Sequence, residues 1–348
     1  MTDQKIIPLS KAQPPLYAGV DVGGTNIKFG LVDDSGQTLA YNKIRTEPTK
    51  GPDDAISRMS QQIEALINEA GAEMSQLVAV GLATPGTMDL ARGMILEPPN
   101  LPTWRHYPIR DQLSKACERP VAYANDANAA AFGEFWVGCG EAYPSLVMLT
   151  LGTGVGGGII IGDLSVDGEH SHGSECGHII IDHTPEARVC PCGHRGHLEA
   201  YCSATALVKR AEEHLSTART SSMRERIDNG EKLTTLLMAE EAAKGDGLSL
   251  EIIMESAKFL GVGIASLVHT IDPGAVVLGG AMDFGGHGTE LGEKFLSKVR
   301  DEFHRRTFPT LAEHTVVEFA ELGGDAGYIG AAGVARAGMK RGSLQQAV

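Results

Sequence analysis

Leu16-Tyr-Ala-Gly-Val-Asp-Val-Gly-Gly-Thr-Asn-Ile-Lys-Phe-Gly-Leu-Val32 reads as two short strands around a glycine turn. Leu16–Val22 is rich in apolar and β-branched residues, Gly23-Gly24-Thr25 supplies the turn, and Asn26–Val32 returns antiparallel. The turn ends in a strand and lacks a Gly-Lys-Ser/Thr close, so it is neither a P-loop nor the opening of a Rossmann unit. The same pattern returns later: Ser145–Leu151 is a strand, Gly152-Thr-Gly-Val-Gly-Gly-Gly158 a turn, and Ile159–Ile161 a return strand. Two such hairpins, each leading an α/β unit, predict mixed sheets and two backbone-lined loops on opposite sides of a cleft. A nucleotide's phosphates fit between loops of that kind.

The rest of the chain fills out this plan. Gln37–Thr46 supplies another strand, and Ile56, Met59, Ile63, Leu66 and Ile67 mark one face of a helix that begins near Pro52 and stops at Gly71. Leu77–Ala83 is a buried-type strand ending at Thr84-Pro85-Gly86, a position where ligand loops gather in α/β folds. A Pro-rich loop, 97–104, precedes a helix near 109–117 and a strand near 120–124. Asn125-Asp126-Ala127-Asn128 then opens a helix. Beyond the second hairpin, helices are expected near 200–218, 233–243, 248–271 and 289–304, strands at 275–279 and 315–319, and a last helix over 326–339.

At 348 residues the chain exceeds one ordinary hydrophobic core, so two domains are expected. Its 42% hydrophobic and 21% charged residues describe an ordinary globular protein. A net charge of −14 opposes long polyanions, which makes a small ligand a better partner than nucleic acid. No apolar run suggests a membrane span, and Met1–Pro8 lacks the core of a secretory signal, so the cytoplasm is expected. Six cysteines (117, 139, 176, 190, 192 and 202) in a chain this long suit reduced thiols and metal binding rather than a disulfide framework.

Three groups of residues carry chemistry. Asp21-Val-Gly-Gly-Thr25 lets backbone amides and a hydroxyl approach phosphate oxygens, with Asp21 placed to hold Mg²⁺ directly or through water. Asp126, at a strand end and flanked by Asn125 and Asn128, is the candidate general base toward an alcohol, although Asx residues here also serve as helix caps. Glu175-Cys-Gly-His178 with Cys190-Pro-Cys192 and His197-Leu-Glu199 packs metal ligands and two carboxylates into 25 residues. His178, Cys190, Cys192 and His197 suffice to close a tetrahedral zinc shell, which favours a structural ion over a catalytic one; His183 and His194 are rival ligands. Glu175 and Glu199 suit a polyhydroxylated ligand. A glycosidase would also use two carboxylates but leaves both glycine turns without a purpose.

Taken in order, Asp21-x-Gly-Gly-Thr25, Asn125-Asp126-Ala127-Asn128, Leu151-Gly-Thr-Gly-x-Gly-Gly-Gly158 and Glu175-x-Gly-His178 before the C-x-C cluster resemble the ROK family of sugar kinases and regulators. That resemblance implies the two-lobed, actin-like ATPase fold, with ATP and sugar meeting in the cleft. The smaller lobe would be 1–124, completed by 326–348, and the larger 125–325. It also implies phosphorylation of a hexose at its 6-hydroxyl, with Asp126 as base and glucose as the leading substrate; N-acetylmannosamine, N-acetylglucosamine, fructose and allose are alternatives, and ATP is favoured over polyphosphate. Gly23, Gly24, Thr25, Lys28, Thr153 and Gly154 would hold phosphates, and Gly279-Gly280 the adenosine side. Asn125, Asp126, Glu175, His178 and Glu199 look like sugar contacts, joined by Gly86 and Asn100. The family's regulators carry an N-terminal helix-turn-helix, for which the roughly fifteen residues before the first strand leave no room. A homodimer is the family's common assembly. One departure stands out: His197 occupies the place of a third family cysteine, and Cys₂His₂ remains a sound zinc set.

Overall fold

The computed structural model describes residues 6–217 and 219–344. In chain order its first part contains β1 (Leu16–Val22), β2 (Asn26–Val32), β3 (Thr38–Arg45), α1 (Pro52–Glu69), β4 (Leu77–Thr84), β5 (Thr87–Asp89), β6 (Met94–Glu97), α2 (Ile109–Cys117), β7 (Val121–Asn125) and α3 (Asp126–Val137). The middle adds β8 (Ser145–Leu151), β9 (Val155–Ile161), β10 (Leu164–Ser165), α4 (Glu199–Cys202), α5 (Ala204–Leu215), α6 (Met223–Asp228) and α7 (Thr235–Ala243). The last part holds α8 (Gly247–Ile271), β11 (Ala275–Gly280), α9 (Glu290–His304), α10 (Pro309–His314), β12 (Val316–Phe319) and α11 (Ala326–Lys340). Residues 1–5, 218 and 345–348, which the expected start, the expected 200–218 helix and the expected C-terminal extension include, lie outside the described residues.

The chain forms two compact units, one of Met1–Ala142, Gly158–Ser174 and Glu321–Val348, the other of Tyr143–Gly157 and Glu175–Ala320. The division therefore falls after α3, not at the expected 124/125 boundary. The reason is backbone contact between α3 and α11: a Cβ on Gly330 would stand 1.6 Å from the Ala129 carbonyl oxygen, so α3 cannot be separated from the helix that completes the first unit.

In the first unit the sheet order is β3-β2-β1-β4-β7. The opening hairpin is antiparallel and pairs Asp21 with Lys28, while β4 lies parallel to both β1 and β7. The predicted face of α1 is buried at Ile56, Met59, Ile63, Leu66 and Ile67, where it shares a core with Ile27, Phe29, Trp104 and Leu113. Each such aliphatic side chain contributes about 1.5–3 kcal/mol by leaving water. A second cluster gathers Tyr17 with Tyr328 and Ala332 of α11. Close approach explains the glycines of β1 and β4: a Cβ on Gly19 would meet the Tyr328 oxygen at 1.8 Å, and one on Gly81 the Ala331 oxygen at 1.8 Å.

The second sheet has the order β10-β9-β8-β11-β12, with β11 parallel to β8 and β12. α8 departs from the expectation of no membrane-like run, since its 25 residues reach the length and apolarity of a span. Leu260, Ile264 and Val268 are nevertheless buried, as fits the core helix of a globular unit. The helix expected over 200–218 is two helices, because Ser203 takes an extended conformation and its side chain caps Ala206 N. The short elements β5, β6, β10, α6 and α10 had no sequence signal strong enough to place them.

Candidate active site

In the first unit the glycine turn is a tight link in which Gly23 N donates to the Asn26 carbonyl at 2.9 Å. Thr46 fastens it from β3's end, with its hydroxyl on the Gly23 oxygen at 2.6 Å and its amide on the Thr25 oxygen at 3.0 Å. Nothing larger than glycine fits at 24, where a Cβ would stand 2.9 Å from Asn100 Cβ. Asn100 is thereby brought beside the turn. Gly86, at φ 88°, packs on Pro98 of the same Pro-rich loop, so the two loops that sequence offered as weaker sugar contacts are in mutual contact.

Asp21 faces Lys28 across the hairpin, Nζ to Oδ2 at 4.0 Å. Burial raises its carboxyl above the ordinary carboxylate range, and the lysine ammonium opposes that rise. A cation and its water shell would draw such a group back to the ionised form. Lys28 also donates to the Gly324 carbonyl at 2.6 Å, which ties it to the turn before α11.

The helix cap expected in the 125–128 segment is present. Asn125 is the N-cap of α3, its side-chain oxygen accepting from Ala127 N at 2.9 Å and Asn128 N at 3.4 Å, which leaves its amide nitrogen as the group to offer a hydroxyl. Asp126, the first helical residue, is partly exposed, and its Oδ1 accepts from Ala127 N at 2.9 Å. An acid in the first turn is stabilised in its charged form by the helix dipole. Asn128 is buried, and its amide donates to Asp167 Oδ1 at 3.0 Å, where the Ser165 hydroxyl also donates. That link to the segment after β10 spans 39 residues and had no signature in the sequence.

In the second unit the turn over 152–154 is held from below. Gly152 N donates to the Gly154 oxygen, Ala204 N to the Gly152 oxygen at 2.8 Å, and the Thr205 hydroxyl to the Thr153 oxygen at 2.8 Å. Glu199 lies against it: Oε2 accepts from Val155 N at 2.9 Å, and a Cβ on Gly154 would fall 2.3 Å from the same oxygen. Its other oxygen is 3.6 Å from Cys190 Sγ. Glu199, foreseen as a sugar contact, thus joins the phosphate-type turn to the metal-type loop.

His178, Cys190, Cys192 and His197 bring one donor atom each within 4.8 Å of one another. The nearer pairs are His178 Nδ1 to His197 Nδ1 at 3.2 Å, Cys192 Sγ to His197 Nδ1 at 3.2 Å and Cys190 Sγ to His178 Nδ1 at 3.8 Å. Zinc bonds of about 2.0–2.3 Å in a tetrahedron imply ligand separations of roughly 3.3–3.8 Å, so the residues fit that ion. Without a cation, burial pushes the Cys190 thiol up to about 12. His194 Nδ1 lies 3.8 Å from Cys192 Sγ, and His194 and His183 stand outside the four. The ring of His178 turns its other nitrogen toward Glu175, 4.0 Å away.

Gly279 and Gly280 close β11. Gly280 has φ 95°, and a Cβ there would meet the Leu151 oxygen at 2.3 Å. Beyond them opens a mostly apolar cavity of about 370 Å³ lined by Leu236, Ala239, Met282, Phe284 and Leu291. The sequence pointed to the glycines and missed these walls, among them Leu236, a large apolar side chain that the structure leaves 69% exposed on α7.

The sequence profile of the ROK family matches residues 17–337. A glucokinase of Halalkalibacterium halodurans is 31% identical over 315 residues, spanning 90% of this chain and 93% of that protein. The crystal structure of a ROK hexokinase from Thermus thermophilus aligns at TM-score 0.80 and 31% identity, covering 94% of this chain and 99% of that one. A ROK family glucokinase from Streptomyces griseus, crystallised with glucose and AMPPNP, aligns at TM-score 0.71 and 34% identity, with 92% and 99% covered.

Proposed function

This chain belongs to the ROK family, and on that footing we propose that it is an ATP-dependent sugar kinase of glucokinase type, transferring the γ-phosphoryl group of ATP to the 6-hydroxyl of glucose. The actin-like ATPase fold of the family's kinases is its fold. The observation that carries the proposal is Asp126, a partly exposed carboxylate on the first turn of α3, in a chain that also holds two fastened glycine turns.

Phosphoryl transfer asks a protein mainly for positioning and charge stabilisation. Asp126 accepts the proton of the 6-hydroxyl as its oxygen attacks phosphorus and ADP leaves, and Asn125 offers its amide to a neighbouring hydroxyl. The backbone amides of 23–25 and 152–154, with the Thr25 and Thr153 hydroxyls, hold phosphate oxygens; Lys28 adds a positive charge to that side. Bound Mg²⁺ would neutralise phosphate charge, and Asp21 is the residue that would hold it, directly or through water. Glu175, His178 and Glu199 complete the sugar's partners, with Gly86 and Asn100 shaping the approach.

The apolar cavity past Gly279-Gly280 suits a purine base, which supports ATP over polyphosphate as donor. Zinc would be held by His178, Cys190, Cys192 and His197, and its part would be to fix the 175–199 loop. The enzyme's place is the cytoplasm, where ATP is available, and its assembly a homodimer. A panel of hexoses and N-acetylhexosamines assayed with ATP and with polyphosphate tests the reading: highest kcat/KM with glucose and ATP supports it, and no phosphorylation of any sugar overturns it.

A further inference from the structure

The wall of the apolar cavity that carries Met282 and Phe284 is a loop, 281–289, fastened both within itself and to its neighbours. Inside the loop the Thr289 hydroxyl donates to the Phe284 oxygen at 2.6 Å, and Gly285 N donates to Asp283 Oδ1 at 3.0 Å. Others reach outside the loop: Met282 N donates to the Leu151 oxygen at 3.1 Å, and one side chain bridges to two further elements. His287 lies between two carboxylates, with Nδ1 2.6 Å from Glu293 Oε1 on α9 and Nε2 2.7 Å from Glu318 Oε1 on β12. Its ring also stands edge-on to Phe319, with centroids 5.3 Å apart.

Charge decides how strong this clamp is. A neutral imidazole donates through one nitrogen only, so the two carboxylates are satisfied together only by the imidazolium. Around His287 the charged groups are Glu293 and Arg300 from α9, Glu318 from β12 and Asp283 within the loop. Arg300 donates to Glu318 Oε2 at 2.8 Å, and Asp283 is engaged by Gly285 N. The hydrogen bond to Glu293, followed by attraction to Glu318, holds the imidazolium above its usual range.

We infer that His287 is a positioning residue for the nucleotide: bridging Glu293 and Glu318, it fixes loop 281–289 so that Met282 and Phe284 stay in place against the base. The inference rests on the reading of that cavity as the base site. It carries a sign. The clamp is complete below the raised pKa of His287 and weakens as pH climbs through it, so nucleotide affinity falls from this cause toward alkaline pH.

The test measures KM for ATP, KM for glucose and kcat at pH 6.5 and 9, together with the Kd of Mg·ADP by calorimetry. Loss of one charge-assisted clamp predicts that His287→Ala raises KM for ATP and the Kd of Mg·ADP about fivefold at pH 6.5, with KM for glucose and kcat changed less than about twofold. The ratio of variant to wild-type KM for ATP, in which the titration of ATP itself cancels, should shrink toward one at pH 9. Glu293→Gln/Glu318→Gln should reproduce the loss without touching the histidine. Ala239→Phe, which fills the cavity, tests the base-site reading separately. If it weakens nucleotide binding while neither clamp variant does, the inference fails and the base site stands; if none of the variants weakens it, both fall.

Discussion

The Nδ1 atoms of His178 and His197 face each other at 3.2 Å, with a thiol close to each. Two imidazolium groups cannot share that spacing; burial and the neighbouring His178 keep His197 below its usual pKa. Neutral nitrogens pointing at one point are what a metal site offers. Protein purified without chelator should contain roughly one zinc per chain. His197→Cys should retain the ion, and His197→Ala should lose it together with thermal stability. Metal analysis of the three proteins checks this, and a metal-free wild type contradicts it.

Glu199 predicts a link between metal loop and catalysis. Its Oε2 takes the Val155 amide while Oε1 lies against Cys190, so Glu199→Ala removes the support under Gly154 and leaves a backbone donor without its partner. Loss of a charged hydrogen bond of this kind predicts a ten- to hundredfold fall in kcat/KM. Glu199→Gln, which keeps an acceptor for Val155 N, should recover part of it. Equal activity of Ala and Gln variants would show that the bond does not matter.

Acid should weaken the second unit through Glu241. Lys244 and Ser222 hold its carboxyl down to about 2 from an ordinary 4.5, and Lys244 and Arg226 approach it at 2.8 and 3.2 Å. Because the folded value is the lower one, the stabilisation is fully present above about pH 4.5 and is lost as pH falls toward 2. Glu241→Gln should therefore be less stable than wild type at pH 7, with the difference closing by pH 2. Chemical denaturation at stepped pH measures it, and a gap that persists at pH 2 contradicts the assignment.

Local chemistry made much of this molecule legible. Both glycine hairpins, the buried face of α1 and the junction of β7 with α3 could be read because turn residues and periodicity act over a few positions. The convergence of His178, Cys190, Cys192 and His197 was visible because they fall within 20 residues of chain. What escaped was set by distant partners. Glu199 sits on Val155 from 44 residues away, Asn128 meets Asp167 across 39, and the cavity walls come from α7 and loop 281–289. The domain boundary was misplaced for the same reason, since α3 is claimed by α11, nearly 200 residues later. His287 offered no motif at all, because its two carboxylates come from separate elements.

Asp126 is where the account is most directly tested. Asp126→Asn preserves size and the helix start while removing the proton acceptor, so a coupled assay for ADP should show kcat reduced about 10²- to 10⁴-fold, and calorimetry should show glucose bound within a few-fold of wild type. Turnover retained near the wild-type rate by a variant that binds glucose normally would contradict Asp126 as the base, and with it the mechanism proposed for this chain.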